Sequence, residues 1–104
     1  MKKQIVLKIH GRAQGVFFRD TSRIKAGEFN LSGWVRNEAD GTISIVAEGE
    51  DKDLRSFIEW CKYGPDNADV EKVDIKWLVF TGEFIVWFNL SYFIKNSNRF
   101  LKFF

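Results

Sequence analysis

Cysteine, proline, histidine and methionine each occur only once in this chain of 104 residues. Cys61 therefore has no partner for an internal disulfide, and alone it cannot build a zinc site. Such sparing cysteine use fits a reducing compartment. Pro65 by itself leaves little room for a proline-rich linker. Long apolar runs are lacking too. Ile5-Val6-Leu7, with Lys3 upstream and Lys8 immediately after, is too short for the apolar region of a signal peptide and far too short to span a membrane. A cytoplasmic location without a membrane span is the expectation. The formal net charge is only +2, too small to indicate a nucleic-acid partner.

Hydrophobic residues make up 45% of the chain, a globular composition, and the length suits one domain with a single core. No acidic residue follows Glu83, whereas Lys95, Arg99 and Lys102 do. The division expected is a nearly neutral domain over residues 1–88 and a basic, aromatic C-terminal extension over residues 89–104.

Gln4 to His10 is β-branched and apolar and reads as a strand. Gly11 and Gly15 bracket a loop. Asp20 or Thr21 is placed to cap a helix reaching about Asn30, with Ile24 and Phe29 on its core side. Leu31 to Asn37 reads as a second strand. Asp40-Gly41 marks a hairpin into a third strand, Thr42 to Glu48, which Gly49 ends. In a second helix, about Asp51 to Tyr63, Leu54, Phe57, Ile58 and Cys61 share one face, and Gly64-Pro65 stops it. Val73, Ile75, Trp77 and Val79 alternate in a fourth strand, and Phe84 to Phe88 reads as a further short one. The fold class expected is α+β: a ferredoxin-like βαββαβ sandwich, with an antiparallel sheet carrying two helices on one face.

The two-glycine loop leads from a strand into a helix. Helix N-termini and convergent backbone N–H groups bind anions. Gly15 has no Cβ to obstruct a phosphate, and Arg19 offers a planar fork matched to two phosphate oxygens. No Gly-Lys-Ser/Thr follows, so this is not a Walker loop. On these features alone a phosphate cradle and a plain structural turn remain open.

The complete string His10-Gly11-Arg12-Ala13-Gln14-Gly15-Val16-Phe17-Phe18-Arg19 resembles the signature of the acylphosphatase family, a Gly-x-Val-Gln-Gly-Val followed by two mostly bulky residues and Arg. Gly33-Trp34-Val35-Arg36-Asn37, then Asp40-Gly41-Thr42, resembles the family's second signature. The resemblance spans about residues 4–88, with Ala13 in place of the usual valine. It implies hydrolysis of small acyl phosphates, carbamoyl phosphate among the candidates, to carboxylate and inorganic phosphate, with no cofactor, no metal and no covalent intermediate. It implies that Arg19 and the backbone N–H groups of Gly15, Val16, Phe17, Phe18 and Arg19 bind the phosphoryl group, and that Asn37 orients the attacking water. The alternative is a non-catalytic phosphate-binding ferredoxin-like module. An RNA-binding sheet would need aromatics on the central strands, and Gln4–His10 and Thr42–Glu48 have none.

Several other residues have a plainer reading. His10 is expected to be a strand-end residue with a satisfied hydrogen bond, Cys61 a small buried hydrophobe, and Arg23 a solvated helix residue. Arg36 should face away from Asn37's side of the sheet. Phe17 and Phe18 are expected to anchor the loop in the core. In the extension, a helix would place Leu90, Phe93, Ile94, Leu101 and Phe104 on one face and Lys95, Arg99 and Lys102 on the other. Packing onto the domain, or self-association, is favoured over a membrane-surface or poorly ordered segment. Deleting residues 89–104 is therefore expected to change oligomeric state and solubility in light scattering; an unchanged profile refutes that role.

Overall fold

The computed structural model describes residues 1–90, so the expectations for the rest of the C-terminal extension lie outside the described residues. The elements run β1 (Lys2–Arg12), α1 (Phe18–Glu28), β2 (Ser32–Asn37), β3 (Ile43–Glu50), α2 (Asp51–Cys61), β4 (Asp69–Val79) and β5 (Trp87–Leu90). They build one five-stranded sheet in the order β4-β1-β3-β2-β5. β1 pairs antiparallel with β3 and β4, and β2 pairs antiparallel with β3.

The strand pattern decides the layers. Ile5, Leu7 and Ile9 alternate on β1, and with Ile43, Ile45 and Ala47 of β3 they face both helices. Leu54, Phe57, Ile58 and Cys61 of α2 are all buried against them. Fully burying a side chain of the Leu/Ile/Phe class contributes about 1.5–3 kcal/mol, so this layer outweighs any local helix preference. The ferredoxin-like sandwich with both helices on one face is the fold observed.

Three details differ from the expectation. β5 runs parallel to β2, so the sheet is mixed rather than wholly antiparallel. It also begins at Trp87, while Phe84 turns under the other face of the sheet to join Val6, Trp34 and Val46. In α1 the buried residues are Phe18, Ser22 and Ala26, and Ile24 is 52% exposed. The Phe18 ring lies 5.3 Å from that of Trp60 and fixes the helix's rotation, so spacing by four from Phe18 sets the inward face. Finally, Ile75, Trp77 and Val79 of the edge strand β4 are all at least 37% exposed, although the Arg55 guanidinium of α2 reaches to 4.8 Å from the Trp77 ring centroid.

The chain reaches β2's outer edge by crossing the end of the sheet past Glu48. This carboxylate is 1% exposed. Its Oε2 accepts from Gln4 Nε2 at 2.7 Å, from the Thr81 N–H at 2.8 Å and from Thr81 Oγ1 at 2.7 Å, and its Oε1 accepts from the Gly82 N–H at 3.0 Å. At the opposite end, Asp40 closes the β2–β3 hairpin. Its Oδ1 accepts from the Thr42 N–H at 3.0 Å and from Thr42 Oγ1 at 2.6 Å, and its Oδ2 lies 3.2 Å from Lys8 Nζ. The Thr42 hydroxyl and N–H, then Lys8, lower the Asp40 carboxyl from its ordinary 3.8 to about 2.

Glu48→Ala strands the buried amide of Gln4 and removes the acceptor shared by the more exposed Thr81 and Gly82, and it is expected to destabilise the domain by about 2 kcal/mol, with Glu48→Gln milder, in urea unfolding. Asp40 adds a pH dependence of defined sign. A carboxyl lowered on folding stabilises the fold above its unfolded-state value and loses that contribution as it becomes protonated. Between about pH 4 and about pH 2, wild type is expected to lose more stability than Asp40→Asn, measured by denaturant titrations across that window.

Candidate active site

β1 continues to Arg12, with a register shift between His10 and Gly11, so the loop proper is Ala13–Phe17. Two apolar side chains pin it: Ala13 and Val16 are 1% and 6% exposed within the helix-side core. Gln14 ties it sideways, its Nε2 donating to the Glu38 carbonyl at 2.7 Å and to the Thr42 carbonyl at 2.9 Å. Those carbonyls belong to the hairpin that follows Asn37, so one amide fixes the loop relative to the end of β2. Gly15 has φ 76° with open space above its Cα, a conformation that glycine adopts without strain.

Phe17 also lies in the left-handed region, at φ 63° and ψ 22°, immediately before α1. For a residue with a Cβ this costs about 1–2 kcal/mol. Its carbonyl accepts from the Thr21 N–H at 3.0 Å and from Thr21 Oγ1 at 2.8 Å, which holds the conformation. Phe18 is 1% exposed, as expected of a core anchor, but Phe17 is 74% exposed. The left-handed turn at Phe17 sends its side chain outward while the next residue enters the core.

A cavity of about 220 Å³ opens at this point, lined by Ala13, Gly15, Phe17, Phe18, Arg19, Asp20 and Asn37. It brings together Arg19 and Asn37, the two side chains singled out in the sequence, with four of the five residues named for their N–H groups. The fifth, Val16, is turned into the core. Phe18 and Arg19 open α1, so their N–H groups have no intrahelical acceptor and lie at the positive end of the helix dipole. Arg19 is half-buried. Asn37 ends β2, and its Oδ1 is buried and accepts no hydrogen bond from any of the described residues. A buried carbonyl oxygen without a donor is costly unless a ligand or water supplies one.

Two contributors escaped sequence reasoning. Gln14 stood in the motif, but its partners lie 24 and 28 positions away. Asp20, expected as a helix cap, lines the cavity instead, and the preceding turn makes no side-chain cap. The plainer readings hold elsewhere. His10 Nε2 lies 2.8 Å from Asp74 Oδ2. Cys61 is fully buried, and burial pushes its thiol well above the ordinary range. Arg23 is exposed. Arg36 is 3% exposed, its guanidinium 4.9 Å from the Trp34 ring centroid and its Nε donating to Glu38 Oε2 at 2.8 Å. Among the described residues, no three His, Cys, Asp or Glu side chains gather in a way that could hold a metal, and no helix is long and apolar enough to cross a membrane.

The acylphosphatase family model matches residues 5–89. An acylphosphatase from Syntrophus aciditrophicus is 40% identical over 84 residues, 81% of this chain and 88% of that relative. One from Roseiflexus is 48% identical over 75 residues, covering 72% of this chain and 81% of the relative. The crystal structure of acylphosphatase from Bacillus subtilis superposes with a TM-score of 0.81 at 33% identity, over 88% of this chain and all of that one. With the loop, the arginine and the asparagine meeting at one cavity, the chain belongs to the acylphosphatase family and is an enzyme of its reaction, hydrolysis of the carboxyl–phosphate bond of small acyl phosphates.

Proposed function

We propose that Arg19, the N–H groups around Gly15–Arg19 and Asn37 form the catalytic centre for that hydrolysis. The observation that carries this reading is the buried, unpartnered Oδ1 of Asn37, in the same cavity as Arg19 and the N-terminus of α1. Arg19 grips two phosphoryl oxygens in its fork. The loop and helix N–H groups bind the remaining charge, and all of these donors face the equatorial oxygens, where charge spreads in the transition state.

Asn37 is neutral and takes no proton. Its Oδ1 accepts a hydrogen bond from a water and holds that water's oxygen toward phosphorus, in line with the bond to the acyl oxygen. The water–phosphorus bond forms as the phosphorus–acyl oxygen bond breaks. The carboxylate leaves with the electron pair, and the water's proton passes to a phosphoryl oxygen. A carboxylate is a good leaving group, so positioning and charge stabilisation carry the catalysis.

The test is hydrolysis of benzoyl phosphate at neutral pH with chelator present. Wild type is expected to turn over fully. Arg19→Ala and Asn37→Ala, confirmed as folded by circular dichroism, are each expected to lose about 10²–10³-fold in kcat, the loss typical of removing one preorganised transition-state donor. Hydrolysis abolished by chelator, or retained by either variant, overturns this assignment.

A further inference from the structure

Among the described residues, Phe17 is not packed into the core. Its ring is 74% exposed, although its backbone occupies a left-handed conformation that glycine or asparagine adopts more readily. Among the described residues, neither the strain nor the exposure is offset by burial, and strain held at a ligand cavity points to function. The same cavity lining contains two other apolar side chains larger than a hydrogen, Ala13 and Phe18, and each is only 1% exposed. Phe17 therefore supplies the exposed apolar surface beside the phosphate-binding groups, two residues from Arg19. The double hydrogen bond from Thr21 to its carbonyl keeps that surface in place.

We propose that the Phe17 ring is the acyl subsite of this enzyme and favours substrates whose acyl group is flat and apolar, aromatic above all, over acetyl-sized ones. This rests on the phosphate-binding reading given above. An acyl phosphate joins a charged end to an acyl group through one bridging oxygen. With the phosphoryl group on Arg19 and the loop N–H groups, the acyl group projects toward the cavity mouth. An aryl group there covers the face or edge of the Phe17 ring and removes apolar surface of both from water. An acetyl or carbamoyl group is too small to cover the ring.

The measurement is the ratio of kcat/KM for benzoyl phosphate to that for acetyl phosphate, in wild type, Phe17→Ala, Phe17→Asn and Phe17→Tyr. A ratio cancels any effect of the substitution on the shared phosphate loop. Wild type is expected to favour benzoyl phosphate. The ratio is expected to fall about three- to tenfold in Phe17→Ala and Phe17→Asn, and to stay within about twofold in Phe17→Tyr, given the usual strength of an aromatic pair. Asparagine tolerates the left-handed backbone, so it separates the ring from the turn and carries the test alone if the alanine variant fails to fold. A ratio unchanged in both ring-less variants, or lost in Phe17→Ala but kept in Phe17→Asn, overturns the subsite while the enzyme reading stands. Wild type that hydrolyses neither compound overturns both.

Discussion

Two hydrogen bonds from a single side chain, Gln14, hold the proposed catalytic centre together. Arg19 and the helix N-terminus belong to the β1–α1 connection, and Asn37 to the far end of β2. These segments are not sheet neighbours, because β3 lies between β1 and β2. The sheet ladder alone therefore does not fix the loop against Asn37. Gln14 Nε2 closes the gap by donating to the Glu38 and Thr42 carbonyls. The hairpin carrying those carbonyls is itself rigid, since Thr42's carbonyl also takes the Glu38 N–H and its own N–H and hydroxyl are held by Asp40. A neutral amide donating to two carbonyls leaves no charge behind it, so the tie does not compete with the phosphate for Arg19.

The loop can then be stiff without being stable in isolation. Ala13 and Val16 fasten its inner side to the core, Gln14 fastens its flank, and Thr21 fastens its exit at Phe17. Stiffness matters because donors aimed at a transition state are effective when they need no reorganisation as charge develops. The strain at Phe17 belongs to the same economy. The left-handed turn lets the chain pass from loop to helix while Phe18 drops into the core, beneath Gly64, whose own left-handed φ of 70° and missing Cβ leave room for that ring.

What was legible in the sequence followed local rules. The β-branched, apolar run of β1, the alternation in β3 and the spacing of Leu54, Phe57, Ile58 and Cys61 placed the main layer correctly, because burial imposes those patterns directly. α1 was harder. Ile24 is more apolar than Ser22 or Ala26, yet the helix's rotation is set by Phe18 packing on Trp60, a contact between distant segments. β5 was located only approximately, since its partner β2 lies some fifty positions earlier and a parallel pairing has no hairpin to announce it. In the site, Arg19 and Asn37 were recognisable from motif resemblance. The outward turn of Phe17 was not, because two adjacent phenylalanines carry no periodic sign of which one enters the core.

The cavity's chemistry sets a limit on how this site discriminates. Its fixed charges are one guanidinium and one carboxylate, Arg19 and Asp20, beside a neutral amide and backbone donors. In the proposed site almost all of that polar equipment addresses the phosphoryl group, which every acyl phosphate shares. The imidazole and the thiol lie elsewhere: His10 is engaged with Asp74, and Cys61 is sealed in the core. Hydrogen bonding that is the same for every substrate cannot rank one acyl group above another, because discrimination is a difference between competing affinities. Any preference must come from the part of the cavity that meets what differs between substrates. In this chain the exposed apolar side chain in that position is Phe17, held outward at a conformational cost by the same carbonyl contacts that begin α1.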